Sequence, residues 1–523
     1  VAIIEQVGSH TYPCHRYDCD SYPKNRQDEL NLLVLYDEHS TFTSTVQEYL
    51  LSFSKYSKHN VFYASGTKSA SCFYDMNAFD AVLLNYSVRL SSPNFISPFI
   101  VKTLKSFKGL KVLFVQYEYE TTETTRGWME TLGIHLVFSV VPPEFMGKVY
   151  PPERFPNTEF VSTLTGFVPE TLAERFPVIP MADRPLHIGY RGRELPYWYG
   201  SLGREKLNIG VQMKKLCLEK NIPHDIEWDC NQRIYGDDWY HFLSSCRATL
   251  GTESGANVFD DFGDIRKNIT NALNKNPGLS YEEAYQQYVQ PYDGLVRMNQ
   301  ISPKIFEAII LKTALILFEG SYSSVIQPHT HYIPLKKDFS NVNEVFEKLE
   351  DLNYLESLTQ RAYQDIVTSG KYSYKSFINR IDALISERVQ EPRKSTFIKG
   401  LVGMAHSSVT DTLFPYLSNY ANAIPLETIL DKPLPRASRT VFYGPDEQKY
   451  VVSHTCPSCG GVQLKSIAQD KGKKSFWGQI GKECKRFFKK RLLRRQSVFK
   501  TPPSEYQHWC QECLKNTLRQ GTT

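Results

Sequence analysis

From Leu30 to Val389 short apolar runs alternate with stretches of helical periodicity, and this alternation leaves few ways to fold. LNLLVLY (30–36), NVFYA (60–64), FDAVLLNY (79–86), LKVLFVQY (110–117) and HLVFSVV (135–141) read as buried strands. TFTSTVQEYLLSFSKY (41–56), PFIVKTLKSFKG (98–109) and TTRGWMETLG (124–133) read as the helices that accompany them. Strands apolar on both faces need cover on both faces, and helical crossovers between parallel strands supply it. Such sheets bind ligands beyond the carboxyl ends of their strands. Here those ends are the loops Asp37–Ser40 and Tyr117–Glu120.

A proline-rich, aperiodic stretch from Val149 to Pro185 reads as a connection between domains, and a second strand–helix series follows it. LHIGYRG (186–192), HDIEW (224–228) and ATLGT (248–252) are strands, separated by helices over 202–221 and 237–246. Residues 260–296 read as an inserted helical excursion, with Ser280 and Glu283 placed as a capping box. The expected architecture is α/β: an arm (1–29), one Rossmann-like domain (30–178), a second (179–390) and a C-terminal module (391–523). A cleft between two such domains is the default ligand site.

The 523 residues carry a formal net charge of +5 that is unevenly placed. Lys465 to Lys500 hold thirteen Lys/Arg against Asp470 and Glu483, a local +11, so the rest of the chain carries −6. A mildly acidic body with one basic device is expected, rather than a generally basic protein. No run approaches 18 uninterrupted apolar residues, so membrane contact is expected from the surface only. Eleven cysteines, mostly at core-like positions such as Cys72, Cys217 and Cys246, suit a reducing cytoplasm better than a disulfide framework. With Val at position 1, the sequence reads as processed or as a fragment of something longer.

The densest signal is NQISPKIFEAIILKTALILFEGSYS, Asn299 to Ser323. Ser302 is placed as an N-cap and Pro303 at the first helical position, after which Ala314–Phe318 is a short buried strand. In an otherwise apolar helix Glu307 stands out, either as a ligand for hydroxyl groups or as a charge that complements the helix dipole. A loop, then S-P-x-x-F-E-A, an apolar strand and F-E-G resembles the donor-sugar segment of GT-B glycosyltransferases, closest to the bacterial group-1-like enzymes of O-antigen, lipopolysaccharide and surface-polysaccharide clusters. The likeness extends over about residues 185 to 390. It implies two Rossmann-like domains, an acceptor domain followed by a donor domain, and a nucleotide-sugar donor with no catalytic metal.

Within that resemblance Glu307 matches the second acid of the family's E-x7-E pattern, which holds ribose hydroxyls, and Asn299 stands where the first acid belongs. An amide cannot stabilise positive charge as a carboxylate does, so the stereochemical outcome stays open. Arg191, Arg193, Arg204 and Lys206 follow the first strand of the donor domain, where cations neutralise a departing diphosphate; the resemblance assigns that role to Arg193, Arg204 and Lys206. Ser302 and Lys304 lie where they can reach the nucleotide, and Glu253-Ser254-Gly255 forms a second loop facing the cleft. For activating an acceptor hydroxyl His39 is the candidate base, with Glu118 or Glu120 as substitutes.

The tail follows a different logic. TVFYGPDEQKYVVSH reads as a hairpin running into Cys456-Pro-Ser-Cys459-Gly460, and Cys510-Gln-Glu-Cys513 supplies a second pair. Two such turns aim four thiolates at one structural zinc. Between them Phe476, Trp477, Ile480, Phe487 and Phe488 fall on one side of a helical wheel, opposite Lys482, Lys485, Arg486, Lys489 and Lys490. This is the pattern of an in-plane helix on an anionic membrane.

The expectation is therefore a cytoplasmic enzyme, peripheral on the inner face of the cell membrane. It would move a sugar from a nucleotide donor to a growing, lipid-linked bacterial surface glycan, with room for other glycan-assembly partners. Nucleic acid is the less favoured partner. The competing readings are a nucleotide-sugar epimerase or hydrolase of the same fold, and a non-enzymatic scaffold.

Overall fold

The computed structural model describes residues 29–37, 40–41, 43–67, 76–92 and 95–389, together with the backbone of four later strands. The first unit runs β1 (Asn31–Tyr36), α1 (Ser44–Tyr56), β2 (Asn60–Ser65), β3 (Ala81–Leu84), α2 (Pro98–Ser106), β4 (Leu110–Val115), α3 (Thr122–Leu132), β5 (Leu136–Ser139), α4 (Pro143–Val149) and β6 (Glu159–Ser162). Every pairing is parallel. All residues of β1, β3 and β5 are buried, and each aliphatic side chain so enclosed contributes about 1.5–3 kcal/mol.

After α5 (Leu172–Arg175) the second unit runs β7 (Leu186–Arg191), α6 (Gly200–Glu219), β8 (His224–Glu227), α7 (Asp237–Ser244), β9 (Cys246–Gly251), α8 (Asp264–Lys275), α9 (Tyr281–Ala284), α10 (Pro303–Ile310), β10 (Ala314–Phe318), β11 (Ile333–Leu335), α11 (Val342–Glu350) and α12 (Leu352–Ala362), followed by α13 (Tyr374–Arg388). Its strands lie parallel in the order β11-β10-β9-β7-β8. The later strands are β12 (Ala423–Pro425), β13 (Ser438–Tyr443), β14 (Lys449–His454) and β15 (Val462–Ser466). β12 adds to the edge of the first sheet beside β2, and β13-β14-β15 form a small antiparallel sheet. The α/β, two-sheet architecture is the one expected, and β13 and β14 pair as the tail hairpin requires.

Three features depart from the local reading. The proline-rich connection is partly structured, because Glu159–Ser162 pairs with β5 as the last strand of the first sheet. α13, numbered with the second domain, crosses back to the first. Its Phe377, Ile378, Ile381 and Ile385 join the core formed by Val34, Tyr49 and Phe53. Asp382 at its centre accepts from the Ser57 hydroxyl (2.9 Å) and the Lys58 amide (2.8 Å). Helix periodicity reports that a face is buried, not which sheet buries it. Ser302 does occupy the N-cap of α10 with extended backbone, but its hydroxyl makes no capping hydrogen bond. The capping box of Ser280 and Glu283 is present.

The carboxyl ends of the two sheets face each other. Beyond β4 the Tyr119 carbonyl accepts from the Asp260 amide at 3.1 Å, and the Tyr199 hydroxyl donates to Glu120 at 2.6 Å. Arg126 reaches Asp261 at 3.0 Å. The excursion thus ties the second unit to the first along one side of the cleft. Among the described residues no helix is long and apolar enough to cross a membrane.

Candidate active site in the interdomain cleft

Three loops at the carboxyl edge of the second sheet are locked into one frame by a buried acid. Glu253 follows β9 and is 3% exposed. Its Oε1 accepts from the amides of Ser321 and Tyr322, both at 2.8 Å, and from the Ser321 hydroxyl at 2.9 Å. Its Oε2 accepts from Asn299 Nδ2. Charge-assisted bonds of this kind are about twice as strong as neutral ones, which lets the frame hold unusual backbone. Tyr322, Ser323 and Ser324 all have positive φ (45°, 54° and 58°), as does Asn299 (40°). Gly320 completes the fit, because a Cβ there would lie 2.5 Å from Glu253 Cδ. Ser254 and Gln300 exchange backbone hydrogen bonds at 2.7 and 2.9 Å, fastening the β9 loop to the entrance of α10.

Against this frame stand two lysines, Lys206 and Lys304. Lys206 Nζ, from the first turns of α6, donates to the Ser254 hydroxyl at 2.9 Å and forms no salt bridge among the described residues. Burial, then repulsion from Lys304 and Arg193, lowers its pKa to about 8. Lys304 Nζ donates to the Arg191 carbonyl at 3.1 Å and lies 4.7 Å from the Trp239 ring centroid. Lys304 keeps exposed surface, yet enclosure by the surrounding protein lowers its pKa as well, with Arg193, Arg233 and Arg191 pushing the same way and Glu307 opposing. Arg193 is exposed. A cluster of like charges that depress one another is a site short of negative charge.

Glu307, 4% exposed on α10, accepts from Trp239 Nε1 at 2.7 Å. Burial raises its pKa, while the indole N–H and Lys304 pull it down. Its charge is felt on the opposite domain by Glu48 of α1. Glu48 keeps part of its surface in water but is enclosed by protein, and its pKa rises to about 8, first from burial and then from Glu307, with Arg175 opposing. Glu307 therefore lies near Lys304 of the cation cluster and near α1 of the first domain.

The remaining predicted residues are placed as follows. Arg191 is consumed by structure: it donates to the carbonyls of Gln232, Tyr190 and Asp225, pairs with the Asp225 carboxylate at 2.6 Å and stacks 4.3 Å from the Phe242 centroid. Arg204 turns to Glu194 at 3.2 Å and to the Tyr281 ring at 4.9 Å. Asn299 is held at both ends of its amide, by Glu253 and by Asn257 Nδ2 at 3.0 Å. Glu118, a substitute base, is fully buried, and its Oε1 accepts from the Ser139 hydroxyl at 2.7 Å and the Val140 amide at 3.0 Å. Its role is inside the first domain.

His39 lies outside the described residues, as do Cys456, Cys459, Cys510 and Cys513 and the whole segment carrying Phe476, Trp477, Ile480, Lys482, Lys485, Arg486, Phe487, Phe488, Lys489 and Lys490. Among the described residues no group of three or more His, Cys, Asp or Glu is placed to hold a metal ion.

Sequence reasoning missed Glu48, Trp239, Arg233 and the Ser321–Ser324 turn. Glu48 carries no local mark, since one acid on an amphipathic helix reads as solvated surface. The Gly-Ser-Tyr-Ser-Ser stretch after β10 was the one available signal for a strained loop.

No protein-family model matches the sequence, and no curated protein does. Solved structures of similar fold include an α-glucosyltransferase in complex with UDP and DNA containing an HMU base (TM-score 0.42, 11% identity, 69% of this chain and 100% of that one). TarM is another (0.33, 12%, 58% and 54%). A third is Anabaena HepE in complex with UDP and glucose (0.36, 9%, 68% and 100%). At such identities the site has to be read from its own geometry.

Proposed function

We propose that this chain is a glycosyltransferase that draws its sugar from a nucleotide-sugar donor. The observation that carries the reading is the set of Arg193, Lys206, Lys304 and Arg233. These form no salt bridge among the described residues and gather beside buried Glu307 at the carboxyl edge of the second sheet. When a sugar leaves a diphosphate, negative charge builds on the departing oxygens. Cations already held in place stabilise that state more than the ground state. Glu307, steered by the Trp239 indole, is set to accept hydrogen bonds from ribose hydroxyls. Asn299 adds no charge, so Glu253 is the carboxylate of that corner and acts by holding the loops.

The finer reading rests on sequence. The Asn299–Ser323 run resembles enzymes of surface-glycan assembly, and Lys465–Lys500 is basic and aromatic in the manner of a membrane-surface helix. Transfer to a lipid-linked bacterial glycan at the inner membrane face follows, with Cys456, Cys459, Cys510 and Cys513 as ligands of a structural zinc. The test is release of nucleoside diphosphate from UDP-, GDP-, TDP- and CMP-sugars, wild type against Glu307→Ala. Equal turnover would take Glu307 out of the site, and no release from any donor would refute the transferase reading.

A further inference from the structure

Residues three or four apart on a helix share a face, and opposite charges at that spacing attract. Elsewhere in the chain such neighbours pair. Arg126 meets Glu123 at 3.2 Å, and Lys215, with the lysine first in sequence, meets Glu219 at 3.9 Å. Lys304 and Glu307 are three apart on α10, yet no salt bridge joins them. Both instead meet Trp239 of α7. Its indole Nε1 donates to Glu307 Oε2 at 2.7 Å, while Lys304 Nζ lies 4.7 Å from the ring centroid and donates to the Arg191 carbonyl at 3.1 Å. One indole can do both because its face is electron-rich and its N–H edge electron-poor, so the first attracts a cation and the second an anion.

The ring is itself fixed by packing. Trp239 is 9% exposed and belongs to the core that holds Tyr240, Leu243, Ile305 and Ile309. Its centroid lies 5.8 Å from that of Phe242, the ring on which the Arg191 guanidinium stacks at 4.3 Å. Arg191, whose carbonyl receives Lys304, is anchored in turn by Asp225 at 2.6 Å. Lys304 is thus held by two uncharged groups, and Glu307 by a neutral donor that favours the ionised carboxylate without cancelling its charge. Two opposite charges already paired would have to part before either could meet a ligand.

We propose that Trp239 is a positioning residue whose indole keeps Lys304 and Glu307 from neutralising each other, leaving the ammonium for phosphate oxygens and the carboxylate for a sugar hydroxyl. The inference rests on the glycosyltransferase reading for what the two charges meet, but the separation itself is a property of the free protein. Phenylalanine keeps an aromatic face and lacks the N–H donor. In Trp239→Phe the carboxylate therefore loses its fixed partner and turns to the ammonium one helical turn away.

The experiment measures acetylation of Lys304 by acetic anhydride in the full chain at pH 8, read by peptide mass spectrometry, together with pyrophosphate affinity by calorimetry. Only the free amine reacts, and pairing with a carboxylate lowers its population about tenfold for each pKa unit. Trp239→Phe should slow labelling of Lys304 about fivefold or more and weaken pyrophosphate severalfold. In the Glu307→Gln background the same substitution should change either quantity less than about twofold, because no carboxylate is left to claim the lysine. A packing role alone predicts the opposite, since the loss of the indole would then be felt equally in both backgrounds. Glu307→Gln by itself keeps the test sound if Trp239→Phe fails to fold. A lysine already held apart from the acid should gain less than about threefold in labelling, and a larger gain would show the two paired. Unchanged labelling in Trp239→Phe, or equal losses in both backgrounds, would also overturn the proposal. Failure of wild type to bind pyrophosphate would strike the donor reading instead, because labelling of the free protein still decides the separation.

Discussion

A protein that binds diphosphate against Lys206 should take up a proton as it does so. In the free protein the amine has a pKa of about 8, lowered from 10.5 by burial and by Lys304 and Arg193. A bound diphosphate would supply the missing counter-charge and return it toward the ordinary value. At pH 8 about half of the free molecules carry the proton and nearly all complexes do, so uptake is about 0.5 proton per UDP, rising to about 0.9 at pH 9. The same linkage makes affinity nearly constant below pH 7 and weakens it about fivefold, or ~1 kcal/mol, between pH 8 and 9. Isothermal titration in buffers of different ionisation enthalpy reads the uptake directly.

Lys206→Met preserves the buried stem and removes the proton site. It should weaken UDP by ~1.5–3 kcal/mol at pH 7, the range for a hydrogen bond to a charged group, and should abolish the lysine's share of the pH slope. Titration of the nucleotide itself is common to both proteins and cancels in the comparison. An affinity flat from pH 7 to 9 in wild type, or an equal slope in the variant, would show that Lys206 does not meet the diphosphate.

Other outcomes follow from the same geometry. Glu48 has a folded pKa of about 8, above its ordinary 4.5, so the native state holds a proton that the unfolded chain has lost. Its contribution is full below pH 4.5 and disappears as pH rises through 8. Relative to wild type, Glu48→Gln should therefore gain on the order of 1–2 kcal/mol above pH 8, after discounting for water that reaches the side chain, measured by urea denaturation across pH. Arg193→Ala should weaken UDP about tenfold or more, whereas Arg204→Ala, whose guanidinium is held by Glu194 and Tyr281, should change it less than about twofold; calorimetry distinguishes them. Purified protein should contain one zinc per chain by elemental analysis, lost in Cys456→Ser with Cys459→Ser, and deletion of residues 465 to 500 should end flotation with anionic liposomes.

Much of the fold was legible because parallel strands buried on both faces must be largely apolar, and β3 and β10 are apolar throughout. The central loop–helix–strand was legible for the same reason, with Pro303 marking the helix start and Glu307 conspicuous in an apolar helix. Side-chain partnership was not legible. Arg191, Arg193 and Arg204 look alike in a string of residues, yet Asp225 and Phe242 claim the first and Glu194 and Tyr281 claim the third, whereas the second forms no salt bridge among the described residues.

Local chemistry along the chain thus determined the two sheets, the cleft as the place to look, and the residue types able to meet a diphosphate. Tertiary structure alone decided that α13 returns to the first domain and that Glu48 confronts Glu307 from the other side. It also decided that Glu253, Asn299 and the Ser321–Ser324 turn share one frame. The physical reason is that periodicity and propensity act over a few neighbours. Charge repulsion, desolvation and hydrogen-bond competition act between groups brought together from distant parts of the chain, and they decide which side chains stay available for chemistry.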